Sequence, residues 1–160
     1  MIANGKAFLD LIDSFLKKEG YVKKKDTWYK STEECICFFS IGKSSYGGFY
    51  EHVMGCFIKE LINVKTQHPP YYKNHLKYTL GLLADKELVQ RVFDLENIEF
   101  VGEEREFVLK ELFELYAIPF LQDVSSKEGI RNAVKKYDGL VNYIKLDARK
   151  CLIMNNQSGK

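Results

Sequence analysis

No two of the four cysteines, Cys35, Cys37, Cys56 and Cys151, stand in a C-x-x-C pair. The spacing therefore offers neither a zinc ribbon nor a thioredoxin-type redox centre. The polar, Gly-containing N-terminus does not read as a signal peptide, so buried free thiols in a reduced, cytoplasmic protein are expected. The three histidines, His52, His68 and His75, lack H-x-x-x-H or H-E-x-x-H spacing, which removes the familiar helical zinc motif. There is no G-x-S-x-G elbow to expose a serine nucleophile. Every apolar run is too short to span a membrane. The net charge is only +2, which counts against a strong electrostatic nucleic-acid binder.

What is present suits one folded domain. Hydrophobic residues make up 46% and charged residues 29% of 160, which favours a packed core over disorder. The reading is a single α+β domain over residues 1–154 and a flexible tail over 155–160. Charge is uneven: residues 1–80 carry net +4 and residues 81–160 net −2. The excess lies in Lys17, Lys18, Lys23, Lys24, Lys25 and Lys30, a stretch without arginine. Lysine lacks the planar donor fork of a specific reader, so a lysine-protected sheet edge is the simpler reading.

Periodicity supplies the elements. Phe8, Leu11, Ile12, Phe15 and Leu16 make one apolar stripe of a helix over residues 3–19, with Gly20 suited to its C-terminal cap. Tyr21 to Tyr29 reads as a short strand with a bend at Lys25-Asp26. Glu33 to Ile41 alternates Cys35, Cys37, Phe39 and Ile41 against Ile36 and Phe38. Both sets are apolar, so this strand should be central and covered on each face. Phe49 to Ile58 returns antiparallel; a turn at Ser45-Tyr46 would set Cys35 opposite Cys56. His75 to Leu83 reads as a fourth strand, after a Pro69-Pro70 loop.

Asp85 offers a cap for a helix to Phe93. Glu103 to Gln122 reads as a helix with Phe107, Val108, Leu112, Leu115 and Tyr116 inward, ended or kinked by Pro119. Ser125 to Glu128 matches a capping box, and Asp138 should cap a last helix carrying Leu140, Val141, Ile144, Ala148, Cys151 and Leu152. The expected fold is thus α+β: a four-stranded, mainly antiparallel sheet with an N-terminal helix and C-terminal helices packed on it.

Gly20-Tyr21-Val22 with Lys23-Lys24-Lys25 and Trp28-Tyr29-Lys30, then Lys43-Ser44-Ser45-Tyr46-Gly47, Phe49-Tyr50, Gly55 and Ile58-Lys59-Glu60-Leu61, form a recognisable pattern. Over residues 8–83 it resembles the bacterial domain-of-unknown-function family four-three-zero-four. The chain departs from that pattern at Gly42, where the family often has Gln, and at Glu51-His52, where it often has Ile-Asn. The resemblance implies an α+β fold and a bacterial source, and it implies no activity. By analogy alone, small domains of this kind suggest an immunity-type or partner-binding role.

Among candidate sites, Gly42-Lys43-Ser44 ends like a phosphate-binding loop, but Cys37 stands where its first Gly should be and a strand flanks it. The nucleotide reading is therefore rejected. No cofactor and no metal site is expected. The preferred reading is a non-enzymatic module that binds another protein through Lys43, Ser44, Tyr46, Tyr71 and Tyr72, with Trp28 next. The alternative is a metal-assisted hydrolase using Glu51, His52 and His75, which requires these side chains to converge. Weak single-stranded nucleic-acid binding ranks third, and requires the Lys17–Lys30 lysines to form one stripe.

Overall fold

The computed structural model describes residues 5–45, 47–63, 65–97, 99–100 and 102–158, with side chains as far as Ile153. Helix α1 (Gly5–Lys18) buries Phe8, Ile12 and Leu16 on the expected stripe. It ends in a Schellman motif. Gly20 takes φ 91°, its N–H donates to the Lys17 carbonyl, and that of Tyr21 to the Leu16 carbonyl.

The sheet has five strands in sequence order, all antiparallel: β1 (Val22–Lys24), β2 (Thr27–Ser31), β3 (Cys35–Lys43), β4 (Tyr50–Ile58) and β5 (Leu76–Tyr78). The fifth strand comes from the bend at Lys25-Asp26. It is a two-residue turn with Lys25 at φ 58°, and it folds one expected strand into the β1–β2 pair. In the long β3–β4 hairpin, Cys35 pairs with Ile58 and Cys37 with Cys56. That is two residues from the expected register. A two-residue slip keeps every side chain on its face, so alternation could not detect it.

The alternation of β3 separates two cores. Cys35, Cys37, Phe39 and Ile41 join the main core under the helices, whereas Ile36 and Phe38 join Tyr29 and Phe57 in a smaller cluster on the other face. Helix α1 is tied to the main face by Trp28, whose Nε1 donates to Asp13 Oδ1 at 2.7 Å. Burial raises the Asp13 carboxyl's pKa. The hydrogen bonds from Trp28 and Lys17 outweigh that and leave it below its ordinary value.

Strand β5 is shorter than expected because the Leu80 N–H donates to His52 Nε2 at 2.8 Å rather than to a β4 carbonyl. The chain turns there into α2 (Leu80–Leu83), then α3 (Lys86–Phe93), whose Asp85 cap accepts from Glu87 and Leu88 as expected. Helices α4 (Glu103–Leu112) and α5 (Ile118–Asp123) are joined by one wide π turn, Phe113–Ala117. Pro119 has no N–H to complete the α ladder, and the wide turn absorbs that defect without ending the helix.

The inward face differs from the expected one, beyond the wide turn because that turn shifts it. Arg105, Leu109, Leu112, Phe113, Ala117 and Phe120 are buried, while Phe107, Leu115 and Tyr116, expected inward, are exposed. Helix α6 (Lys127–Lys136) is capped by Ser126, which accepts from Gly129 N–H, one residue later than the box at Ser125. Asp138 caps nothing. Its carbonyl accepts from the Tyr78 hydroxyl at 3.2 Å, and α7 starts only at Leu146 (Leu146–Ser158) after a 3-10 turn over Leu140–Tyr143.

Two positions leave little room for change. A Cβ on Gly55 would lie 1.9 Å from the Leu76 carbonyl oxygen of β5. Backbone cannot yield there without breaking the strand pair. Arg105 is 2% exposed, and its guanidinium donates to five carbonyls: Arg91, Val92, Asp94, Asn97 and Phe100, at 2.5–3.2 Å. Two of them, Arg91 and Val92, belong to the last turn of α3, where the helix dipole favours a cation.

Gly55→Ala should lose about 3 kcal/mol of unfolding free energy in urea titrations. Arg105→Lys keeps the charge but not the fork, and should lose a comparable amount, roughly 3 kcal/mol. Near-wild-type midpoints for either variant would contradict these contacts.

Candidate functional site

The helices cover one face of the sheet, so the other must be closed by something else. The segment between β4 and β5 does this. Pro69 is buried, and its carbonyl accepts from the Tyr29 hydroxyl at 2.8 Å. The His68 ring packs on Tyr29 with centroids 5.1 Å apart. Thr27 and Ser40 satisfy each other across β2 and β3 through a 2.8 Å hydroxyl pair. The strap from Gln67 to Asn74 therefore lies over the small apolar cluster and is pinned at its middle.

The strap then tightens into a 3-10 turn, Tyr71–Lys73. Asn74 closes it, its Nδ2 donating to the Tyr71 carbonyl at 2.7 Å and its N–H to the same oxygen at 3.2 Å. This presents Tyr71 and Tyr72 edge to face, 5.8 Å apart, with Tyr72 65% exposed. Tyr71 also lines a cleft of about 230 Å³ with Lys43, Glu51, His52, Asp26, Ser40 and Val53. Two regions far apart in sequence, the end of β3 and the strap, thus share one small polar cleft.

Lys43 is the last residue of β3, opposite Tyr50, and the Ser44 N–H donates to the Phe49 carbonyl at 2.8 Å. No helix begins there, consistent with rejecting a phosphate loop. The hairpin end is braced from below: Phe49 pairs with Asp94, and Leu95 N–H donates to the Gly48 carbonyl at 3.1 Å. Tyr46 lies outside the described residues. Of the six residues expected to meet a partner, Lys43, Ser44, Tyr71 and Tyr72 lie near this end of the sheet.

Trp28 does not join them. It is wholly buried, held by Asp13 and flanked by Lys23 Nζ 5.1 Å from its ring centroid. A lone Trp in a strand with apolar neighbours is as readily a core anchor, and only packing distinguishes the two.

The rival trio is not brought together as a whole: Glu51 and His52 both border the 230 Å³ cleft, and His75 does not. Alternation along β4 sends the His52 ring toward the helix side, against Phe39 and Phe93, and the Glu51 side chain to the opposite face. His75 precedes β5, where its Nδ1 accepts the Ile58 N–H at 2.8 Å. Both imidazoles thus spend a ring nitrogen on a backbone donor. Among the described residues, no group of three His, Cys, Asp or Glu side chains could hold a metal.

The thiols are equally withdrawn. All four are buried, and none is in a disulfide among the described residues. Burial pushes Cys37 up to about 12; the hydrogen bond that the Cys56 thiol donates to Cys35, with burial, raises Cys56. Such thiols stay protonated and are poor nucleophiles.

Lys17 pairs with Asp13 at 3.0 Å, Lys30 sits over the Tyr21 ring, and Lys23 and Lys24 alternate on the edge strand β1. That is the arrangement of a protected sheet edge.

Sequence reasoning missed a larger cleft than the one at Tyr71, about 600 Å³, at the other end of the strapped face. Tyr29 and Ile36 floor it, and Lys59, Ile62, Gln67 and His68 wall it. No local motif signals it, because the strap that forms its wall is placed by the Tyr29–Pro69 bond. Arg105 was equally silent, since a charged residue in the first turn of a helix reads as solvated.

Residues 12–123 match the family described as a domain of unknown function, DUF4304. No curated protein and no solved structure matches the chain.

Burial lowers the His52 pKa to about 4, and burial also lowers that of His75. Both imidazoles are therefore neutral in the fold, while the unfolded chain protonates them near pH 6.5. Above that pH the two states bind equal protons here. As pH falls from 6.5 toward 4, the unfolded state gains protons first, so stability is lost across that window. His52 should account for on the order of 2–3 kcal/mol of that loss. His52→Gln should be less stable at pH 7.5 yet show a shallower fall between pH 6.5 and 4.5 in urea titrations. An unchanged slope would exclude His52 as the source.

Proposed function

The chain belongs to the DUF4304 family, and we propose that it acts as a non-enzymatic module that binds another protein. The contact surface is the end of the sheet where Lys43, Ser44, Tyr71 and Tyr72 lie. One observation carries this reading: the strap holds Tyr71 against the cleft that Lys43 lines, and leaves Tyr72 open beside it.

Tyrosines held by a tight turn offer contact area at little entropic cost, and Lys43 adds a point charge. Glu51 and Asp26 in the same cleft ask for a partner with a donor or a cation of its own. An immunity-type role would be one instance of such binding. The withdrawal of the imidazoles and thiols into backbone bonds and core packing supports this reading over the hydrolase. It also changes how the two readings are separated. Replacing His52 cannot test catalysis cleanly, because its Nε2 holds the Leu80 N–H and its ring packs 4.7 Å from that of Phe93.

The test is co-purification from native lysate with the wild type beside Lys43→Ala/Tyr71→Ala/Tyr72→Ala. These side chains are exposed, and the turn is closed by the Tyr71 backbone carbonyl, so the melting temperature should stay within a few degrees. A stoichiometric protein retained by the wild type and lost by the equally stable variant is the expected result. Identical retention by both, or none by either, would reject the surface.

A further inference from the structure

A third cleft, of about 490 Å³, opens where α6, the Leu140–Tyr143 turn and α7 meet. It lies on residues beyond 123, outside the segment matched by the family. Its floor is apolar: Val134 from α6, Ile144 after the turn and Leu152 from α7, with Val141 and Ile153 exposed at the rim. Three cations line the same space, Arg131, Lys135 and Arg149, against one carboxylate, Glu128.

The two arginines are oriented by backbone. Arg149 Nε donates to the Ile144 carbonyl at 2.8 Å, and Arg131 Nη1 to the Leu152 carbonyl at 3.4 Å. These bonds use one donor of each guanidinium and leave the others available. On the same helix, Lys127 is neutralised by Glu60 and Lys136 by Asp123. Among the described residues, Arg131, Lys135 and Arg149 form no such ion pair.

We infer that this cleft binds an amphipathic carboxylate: an anionic head against Arg131 and Arg149, and an apolar body along Val134, Ile144 and Leu152. The two features exclude the simpler ligands. A wholly apolar molecule would cover guanidinium donors without pairing them. A small hydrophilic anion such as phosphate would leave the apolar floor wet. A carboxylate takes the fork of an arginine by two parallel bonds, and the volume is that of a small-molecule site. This site is separate from the tyrosine surface, and neither reading depends on the other.

The probe is sodium decanoate below its micelle concentration, titrated into the full chain labelled with ¹⁵N and followed by amide shifts. Saturable shifts are expected at Val134, Val141, Ile144 and Leu152. Acetate, inorganic phosphate and decyltrimethylammonium should each bind at least roughly tenfold more weakly.

Arg131→Gln/Arg149→Gln should weaken decanoate by roughly tenfold or more. Because Arg149 also ties down the Ile144 carbonyl, Arg131→Gln/Lys135→Gln serves as a second variant that leaves that bond intact. It should weaken decanoate by roughly fivefold. The proposal is overturned if decanoate gives no saturable shifts or shifts scattered over the surface. It is equally overturned if decyltrimethylammonium matches decanoate, or if binding survives both variants undiminished.

Discussion

Strand β3 is buried on both faces, and that constraint organises the rest of the molecule. Seven consecutive residues, Cys35 to Ile41, are removed from water. Such a strand requires a neighbour on each edge and a cover on each face. The edges are filled by β2 and β4. The helices supply one cover and, lacking more helices on the opposite side, the protein closes the second with the β4–β5 connection. The Tyr29–Pro69 hydrogen bond fixes that connection over Phe38 and Phe57. The clefts on this face exist because a strap is narrower than a helix layer and leaves the sheet open at each end.

A second constraint acts from below the hairpin. Arg105 gathers carbonyls from the end of α3 and from the Asp94–Phe100 loop. That loop in turn pairs with Phe49 and Gly48. The position of Lys43 at the hairpin end therefore depends on a guanidinium that touches neither the cleft nor the hairpin. Burying one cation among five carbonyls is costly unless all bonds are made, so the loop has few alternative arrangements. The tyrosine pair is held from the other direction, by the strap. The candidate surface is thus assembled from two independently braced segments.

Much of the frame was legible because it is written in local periodicity and capping. The α1 stripe, the Gly20 cap, the Asp85 cap and the two faces of β3 each depend on residues within one or two turns of each other. Errors arose where a distant group supplied the deciding bond. The expected fourth strand stops at Tyr78 because His52 takes the Leu80 N–H. The apolar stripe expected from Glu103 to Gln122 holds at Leu112 and breaks beyond it, where the π turn ahead of Pro119 leaves Leu115 and Tyr116 exposed and brings Ala117 and Phe120 inward. Trp28 was legible as an aromatic in a strand, but its burial depends on Asp13 arriving from α1.

The sequence by itself determined an α+β chain, a central strand with two apolar faces, buried thiols and a family membership. Those properties follow from side-chain alternation, helix periodicity and residue pattern, which need no knowledge of distant contacts. Only the tertiary structure decided that Lys43 and Tyr71 line one cleft, that His75 stands apart from Glu51 and His52, and that Arg131 and Arg149 line one apolar cleft. Each of these rests on which face of an element is covered and by what. That is a property of packing between segments tens of residues apart, and no local pattern encodes it.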